Sequence, residues 1–238
     1  MSRLAARQSP LGTMAQTLPR LRSVLGNLKP TWHMRSLDRL DAAFIHRHAI
    51  EGILWDVDGT LTRFHDTVLA PEALPFRTLS AIATLQHAIL SNAGEERFRE
   101  LGRIFPEIPI VKGYRVDDVV TIRRLQHGED SWTADEVADR IAAGAVPLRK
   151  PDGALVLAVL RTLGLEPRAS VMIGDQYLTD IAGANLAGIR SVKLPAIGPE
   201  TLPPGIRFGQ RVENLLFRLL HGRPVWDDVD LARHVLEE

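Results

Sequence analysis

Cysteine is missing from all 238 residues of the chain, which excludes disulfides and thiolate metal sites outright. Aromatic residues are scarce at 5%, while hydrophobic residues reach 45% and charged residues 24%. That balance belongs to an ordinary globular protein with room for a substantial core. No run approaches the roughly 18 consecutive apolar residues that span a bilayer. Acidic residues are absent from the first 37 positions, where Arg3, Arg7, Arg20, Arg22, Lys29 and Arg35 give a charge of +6. The net charge of zero therefore leaves −6 on the remainder.

The basic leader, residues 1–37, reads in three ways: a solvated tail, an organellar targeting peptide, or a segment in peripheral contact with a membrane. Leu11, Met14, Leu18, Leu21 and Leu25 recur at helical spacing, as a membrane-surface helix requires. Pro19 interrupts such a helix. All three readings stay open, and with them a cytoplasmic or organelle-matrix location, with or without membrane contact. Residues 38–238 read as one domain. No nucleic-acid partner is expected, and the sequence leaves the oligomeric state open.

From residue 50 onward, short apolar runs alternate with helical patterns, the signature of a parallel sheet with crossover helices. Strands are expected near 51–56, 86–91, 108–111, 169–173 and 189–193. Helices are expected near 76–84, 95–104, 151–163 and 178–186. Residues 113–147 break the alternation. There Thr133 and Glu136 form a capping box, with Trp132 and Val137 placed as a hydrophobic staple. A helical insert is expected, with a second helix around 117–126, serving as an edge elaboration or a small lid. Near the end, Phe208, Val212, Leu215, Leu216 and Leu219 predict a terminal helix packed by that apolar face onto the body.

The stretch "ILWDVDGTLT", residues 53–62, ends an apolar strand in Asp56 and Asp58, followed by Gly59 and Thr60. Strand alternation sends both carboxylates to one side. A calcium loop needs glycine at the sixth position from the first aspartate, and Leu61 stands there. A helix cap accounts for one aspartate but not two. In an open α/β sheet, residues beyond the carboxyl ends of strands line the ligand crevice, so a site is the better reading. Ser91 and Asn92, and then Asp175 with Asp180 after it, follow other apolar runs in the same way. Lys150 precedes the apolar helix that feeds the Asp175 strand, a better position than that of its competitor Lys112. His65, Arg123 and Arg124 read as solvent-exposed, with contact to an anionic substrate as the sharper alternative.

The set Asp56-Val-Asp58-Gly-Thr60, Ser91-Asn92, Lys150 and Gly174-Asp175 with Asp180 resembles the four motifs of the haloacid dehalogenase (HAD) superfamily, in order, across roughly residues 50–195. "LKPTWHMRSLD" and "IGDQYLTDIAGANLAGIRSVKL" are similar to the capless subfamily IIIA branch, which includes phosphatidylglycerophosphate phosphatases. The resemblance implies a doubly wound Rossmann-like α/β fold with a small helical insert and no large cap domain. It also implies a magnesium-dependent phosphomonoester hydrolase. Asp56 is then the nucleophile that forms an aspartyl-phosphate, and Asp58 the general acid and base. Ser91, Asn92, Lys150 and the Gly59 turn hold the phosphoryl group. Asp56, Asp175, Asp180 and the backbone carbonyl of Asp58 make up the magnesium site. Asp58 also argues against dehalogenation, which has no leaving alcohol to protonate.

Ser91 follows Asp58 by 33 residues, too few for a large cap. The open edge favours a macromolecular or membrane-borne substrate unless the 113–147 insert closes it. The branch resemblance together with the basic leader implies a lipid phosphate such as phosphatidylglycerophosphate. The alternatives are a soluble phosphatase for sugar phosphates or nucleotides, and a non-catalytic binding protein of the same fold.

Overall fold

Ile53, Leu54 and Trp55 are wholly buried because their strand lies inside a nine-stranded sheet. A computed structural model describes residues 21–226. Its strands are β1 (Trp32–His33), β2 (Gly52–Trp55), β3 (Gln86–Leu90), β4 (Ile110–Val116), β5 (Val119–Gln126), β6 (Glu129–Asp130), β7 (Val146–Pro147), β8 (Ser170–Gly174) and β9 (Arg190–Lys193). They lie in the order β1-β9-β8-β2-β3-β4-β5-β6, with β7 on β4. Every pairing from β1 across to β4 is parallel, whereas β5, β6 and β7 pair antiparallel.

Alternation along the strands feeds two cores. Ile53, Trp55, Ile89, Val171, Ile173 and Val192 face one side, with Phe76, Phe98 and Leu101 from the helices Pro75–Ser80 and Glu95–Ile104. Leu54, Ala88, Leu90, Val111 and Met172 face the other, under Leu155, Val156, Val159 and Leu160 of the helix Gly153–Leu163. Helices on both faces of a mainly parallel sheet make this a doubly wound α/β fold. Among the described residues, no helix is long and apolar enough to cross a membrane.

Three expectations need correction. Residues 117–126 are not helical. They form a hairpin, with Asp117 and Asp118 both at positive φ (45° and 66°) in a two-residue turn between β4 and β5. The β-branched run Val119, Val120, Thr121 and Ile122 prefers strand. The hairpin leaves Arg123 fully buried, donating to Glu95 and Asp130, not solvated. The helical part of the insert is Ala134–Ala142, closed by the Thr133–Glu136 capping box. The leader, too, is not one unit. Residues 21–37 belong to the body through the helix Leu21–Leu25, strand β1 and buried Val24, Leu28, Met34 and Leu37. Residues 1–20, with Leu11, Met14 and Leu18, lie outside the described residues.

The third correction concerns the terminal helix, Pro204–His221. It packs through Glu213 and Phe217, not through its apolar stripe. Phe208 and Leu219 are 68% and 72% exposed, and among the expected packing residues only Leu216 joins the cluster of Val24, Leu28, Tyr177 and Phe217. One helix therefore tests the packing. Phe217→Ala costs about 3–5 kcal/mol in a urea titration, whereas Phe208→Ala shifts stability by no more than about 0.5 kcal/mol. Equal losses at the two positions would refute the orientation.

Candidate active site at the carboxyl edge of the sheet

The register of the central strands assembles the site. Trp55 is level with both Ile89 and Ile173, so the chain beyond these residues delivers Asp56, Ser91 and Asp175 to one edge. Asp180 comes from a π-helical turn, Tyr177–Ile181, just after β8. Such turns displace a side chain from regular helical spacing and recur at functional sites. Two glycines clear the space. A Cβ on Gly174 would lie 2.3 Å from Asp180 Oδ2, and one on Gly59 would lie 2.8 Å from Asp175 Oδ2. Gly59 also sits at φ +96°, where an L side chain is strained.

Asp56, Asp175 and Asp180 are all buried, and each offers an oxygen within 4.8 Å of the others. Lys150, itself buried, donates to Asp56 Oδ1 at 2.5 Å and to Asp180 Oδ1 at 2.7 Å. Burial alone would lower the lysine's pKa, but Asp180 and Asp56 outweigh it and hold the ammonium charged. Burial raises the Asp56 carboxyl to about 7 against the pull of Lys150, with Asp180 adding to the rise. Asp175 is pushed well above the usual carboxyl range, first by burial and then by Asp56 and Asp180. At about 4 Å, two unit like charges repel by about 4 kcal/mol at an effective dielectric of 20. Two buried lysines, Lys150 and Lys193, face four buried acids, Asp56, Asp175, Asp180 and Glu213.

A divalent cation fits that excess. Asp175 Oδ1 is buried without a hydrogen-bond partner, an orphaned acceptor of the kind a cation satisfies. The donor set is all carboxylate oxygen, suited to magnesium or another hard ion. Asp58 does not share that pocket with its side chain. Its Oδ1 accepts from Arg97 Nη2 at 2.7 Å and from the His65 N–H at 3.1 Å. The expected phosphate ligands are also placed apart. Asn92 brackets the Lys150 backbone, accepting its N–H at 2.8 Å and donating to its carbonyl at 3.1 Å. The Gly59 N–H is taken by the Thr62 carbonyl, so this amide adds nothing to a phosphate cradle. Ser91 lines a cavity of about 150 Å³ with Asn92, Lys112, Tyr114, Val137 and Ile141. Lys112 turns to Glu95 at 3.4 Å, leaving Lys150 as the lysine on Asp56.

Sequence reasoning missed Arg97, Gln210, Glu213 and Lys193. Arg97 is four residues from buried Leu101, and that spacing placed it beside the apolar face of its helix. Gln210 donates to Asp175 Oδ2 at 2.6 Å, and Glu213 accepts the Leu178 N–H at 2.8 Å. Burial lifts Glu213 to about 7 and lowers Lys193, with Asp175 and Glu213 opposing that fall. Nothing local in the sequence marks Gln210 or Glu213, because their partners Asp175 and Leu178 each lie 35 positions away.

Residues 147–194, which are 48 of 238 positions, match the HAD-hydrolase-like family model, a stretch that carries Lys150, Gly174, Asp175 and Asp180. No curated protein matches the chain. Among solved structures, an uncharacterized protein from Listeria monocytogenes serotype 4b is 23% identical over 65% of this chain and 85% of its own, with a TM-score of 0.39. A Mesorhizobium loti protein named as a HAD-like phosphatase is 17% identical over 74% and 88%, with the same score. The 4-nitrophenylphosphatase from Thermotoga maritima is 15% identical over 67% and 90%, with a TM-score of 0.30. The doubly wound assignment rests on strand order and register, not on these overlaps.

The acid cluster sets stability and cation binding against each other. At pH 8 without metal, Asp175→Asn removes a carboxyl that burial and the neighbouring acids disfavour, and stabilises the fold by about 1 kcal/mol in a urea titration. Magnesium raises the thermal midpoint of the parent chain and leaves that of the variant nearly unchanged. A variant less stable than its parent without metal, or equally responsive to magnesium, would contradict this charge balance.

Proposed function

We propose that the chain is a magnesium-dependent phosphomonoester hydrolase working through an aspartyl-phosphate on Asp56. The observation that carries this reading is the Lys150 ammonium bridging Asp56 and Asp180 inside a buried triad of acids. A nucleophilic carboxylate needs its charge held in place and its target's charge offset, and phosphoryl transfer depends mainly on such positioning.

In the first half-reaction an Asp56 oxygen attacks phosphorus in line, and the bond to the ester oxygen breaks. The leaving oxygen takes its proton from Asp58. The Arg97 and His65 bonds converge on Asp58 Oδ1, which directs Oδ2 to that transfer. In the second half-reaction water attacks the phosphorus, Asp58 receives its proton, and Asp56 is released with inorganic phosphate. Lys150 steadies the charge on Asp56 throughout, and Ser91 donates to a phosphoryl oxygen. Asp56, Asp175 and Asp180, with the Asp58 carbonyl, would hold magnesium, which supplies the positive charge that lets a phosphate dianion approach three acids.

The finer reading is a lipid phosphate such as phosphatidylglycerophosphate, supported by the likeness to the capless branch and by the basic leader. A soluble sugar phosphate or nucleotide is the second reading. The second reading takes the cavity beside Ser91, walled by Val137 and Ile141 of the insert helix and lined by neither Lys150 nor the three buried aspartates, as room for a small leaving group.

Asp56→Asn keeps the shape of the side chain and lowers magnesium-dependent turnover by more than about a thousandfold. Acid quench of the parent chain during turnover traps a phosphoryl group on Asp56, read by peptide mass spectrometry. Turnover retained by the variant overturns the mechanism. Activity on micellar lipid phosphates but not on soluble esters selects the first substrate reading, and the reverse selects the second. A folded protein inactive on both points to a binding role.

A further inference from the structure

The terminal helix, Pro204–His221, is apolar on the side away from the protein. At 100° per residue, Gln210, Glu213 and Phe217 share the face that meets the body. Phe208, Val212, Leu215 and Leu219 fall on the opposite face and are 68%, 36%, 57% and 72% exposed. The stripe runs about 17 Å along the axis. It is continuous and lies on a single element, unlike the isolated exposed leucines of an ordinary surface.

Arg207, Arg211 and Arg218 lie along one flank of this stripe. The one acid of the helix, Glu213, is buried against the body. Among the described residues, no acid pairs with any of the three arginines. An apolar stripe bordered by arginines is the pattern of a helix lying in the plane of a lipid interface. Charge weighs against a second copy and against residues 1–20. Residues 227–238, with Asp227, Asp228, Asp230, Glu237 and Glu238, would complement the arginines and are the competing occupant that vesicle flotation distinguishes. A second copy placed face to face would set arginine against arginine with no acid between them. Residues 1–20, which carry Arg3, Arg7 and Arg20 and no acid, would do the same. An anionic bilayer offers hydrocarbon for the stripe and phosphate for its flank.

We propose that the exposed face of the helix Pro204–His221 docks the protein on an anionic phospholipid surface. The docking does not depend on which ester the site hydrolyses, or on whether it hydrolyses any. The inner face of the same helix reaches Asp175 through Gln210, so docking places the acid cluster close to the interface.

Flotation of the full-length chain with vesicles tests the proposal without reading turnover. The chain floats with vesicles of equal parts phosphatidylglycerol and phosphatidylcholine and stays behind with phosphatidylcholine alone. Phe208→Ser with Leu219→Ser weakens binding by more than about tenfold. Arg211→Gln and Arg218→Gln weaken it by about fivefold each, and added salt acts in the same direction. All four changes are at exposed side chains, so native thermal midpoints are expected. Asp56→Asn floats like the parent, which separates docking from catalysis. Three outcomes overturn the proposal. One is equal binding by the parent and the Phe208→Ser, Leu219→Ser variant. Another is a dimer that this variant disperses. The last is a parent that ignores vesicles while the variant loses thermal stability, showing that the stripe is covered by the chain itself.

Discussion

The Lys150 ammonium, held between Asp56 and Asp180, is the contact on which the rest of the site depends. It ties the end of β2 to the π-helical turn after β8. Its own backbone is clamped from the end of β3 by the Asn92 amide. Four segments far apart in sequence thus meet through one side chain and one amide. Buried ion pairs seldom add net stability, because desolvating the charges offsets their attraction. This one specifies geometry: it fixes the Asp56 and Asp180 carboxyls relative to each other at the edge of the sheet.

The surrounding protein carries the cost. Raised carboxyls at Asp56, Asp175 and Glu213 mean that folding buries charge it would otherwise leave in water. The two-sided core under β2, with Ile53 and Trp55 on one face and Leu54 on the other, supplies the compensating burial. A central parallel strand suits this role because both of its faces are covered. Only its carboxyl end emerges, and that is where the acids sit. The location of the site and the stability that tolerates it therefore have the same origin in the sheet.

What was legible in the sequence follows the range of each interaction. Strands β2, β3, β8 and β9 and the helix Glu95–Ile104 were read within a residue or two, because the apolar period is a local property. The capping box at Thr133 was equally local. The hairpin over 117–126 was misread because an aspartate pair does not announce a tight turn as Asn-Gly does, and its arginines masked the β-branched run. Asp56, Asp175, Asp180 and Lys150 were found as motif residues. The convergence of the three aspartates within a single ligand shell comes from register between strands more than a hundred residues apart, which no local pattern encodes. Arg97 was invisible as the partner of Asp58, since an arginine on an amphipathic helix ordinarily belongs to the solvent.

The terminal helix shows the same limit in its sharpest form. The pattern rule turns the most hydrophobic face inward, and here Gln210 and Glu213 face inward instead. Each has a partner that fixes it. The Gln210 amide is hydrogen-bonded to Asp175, and the Glu213 carboxyl receives the Leu178 N–H beside Asp180. Rotating the helix by half a turn would bury Phe208 and Leu219, but it would strip Asp175 of its amide donor and leave the Leu178 N–H without its acceptor. A buried polar group left unpaired costs about 1–3 kcal/mol, and these two would be lost together with the stacking of Phe217 on Tyr177. The needs of the site thus set the orientation of the helix. The apolar stripe on its far side is the residue of that choice, and it calls for an explanation outside the packing of the chain.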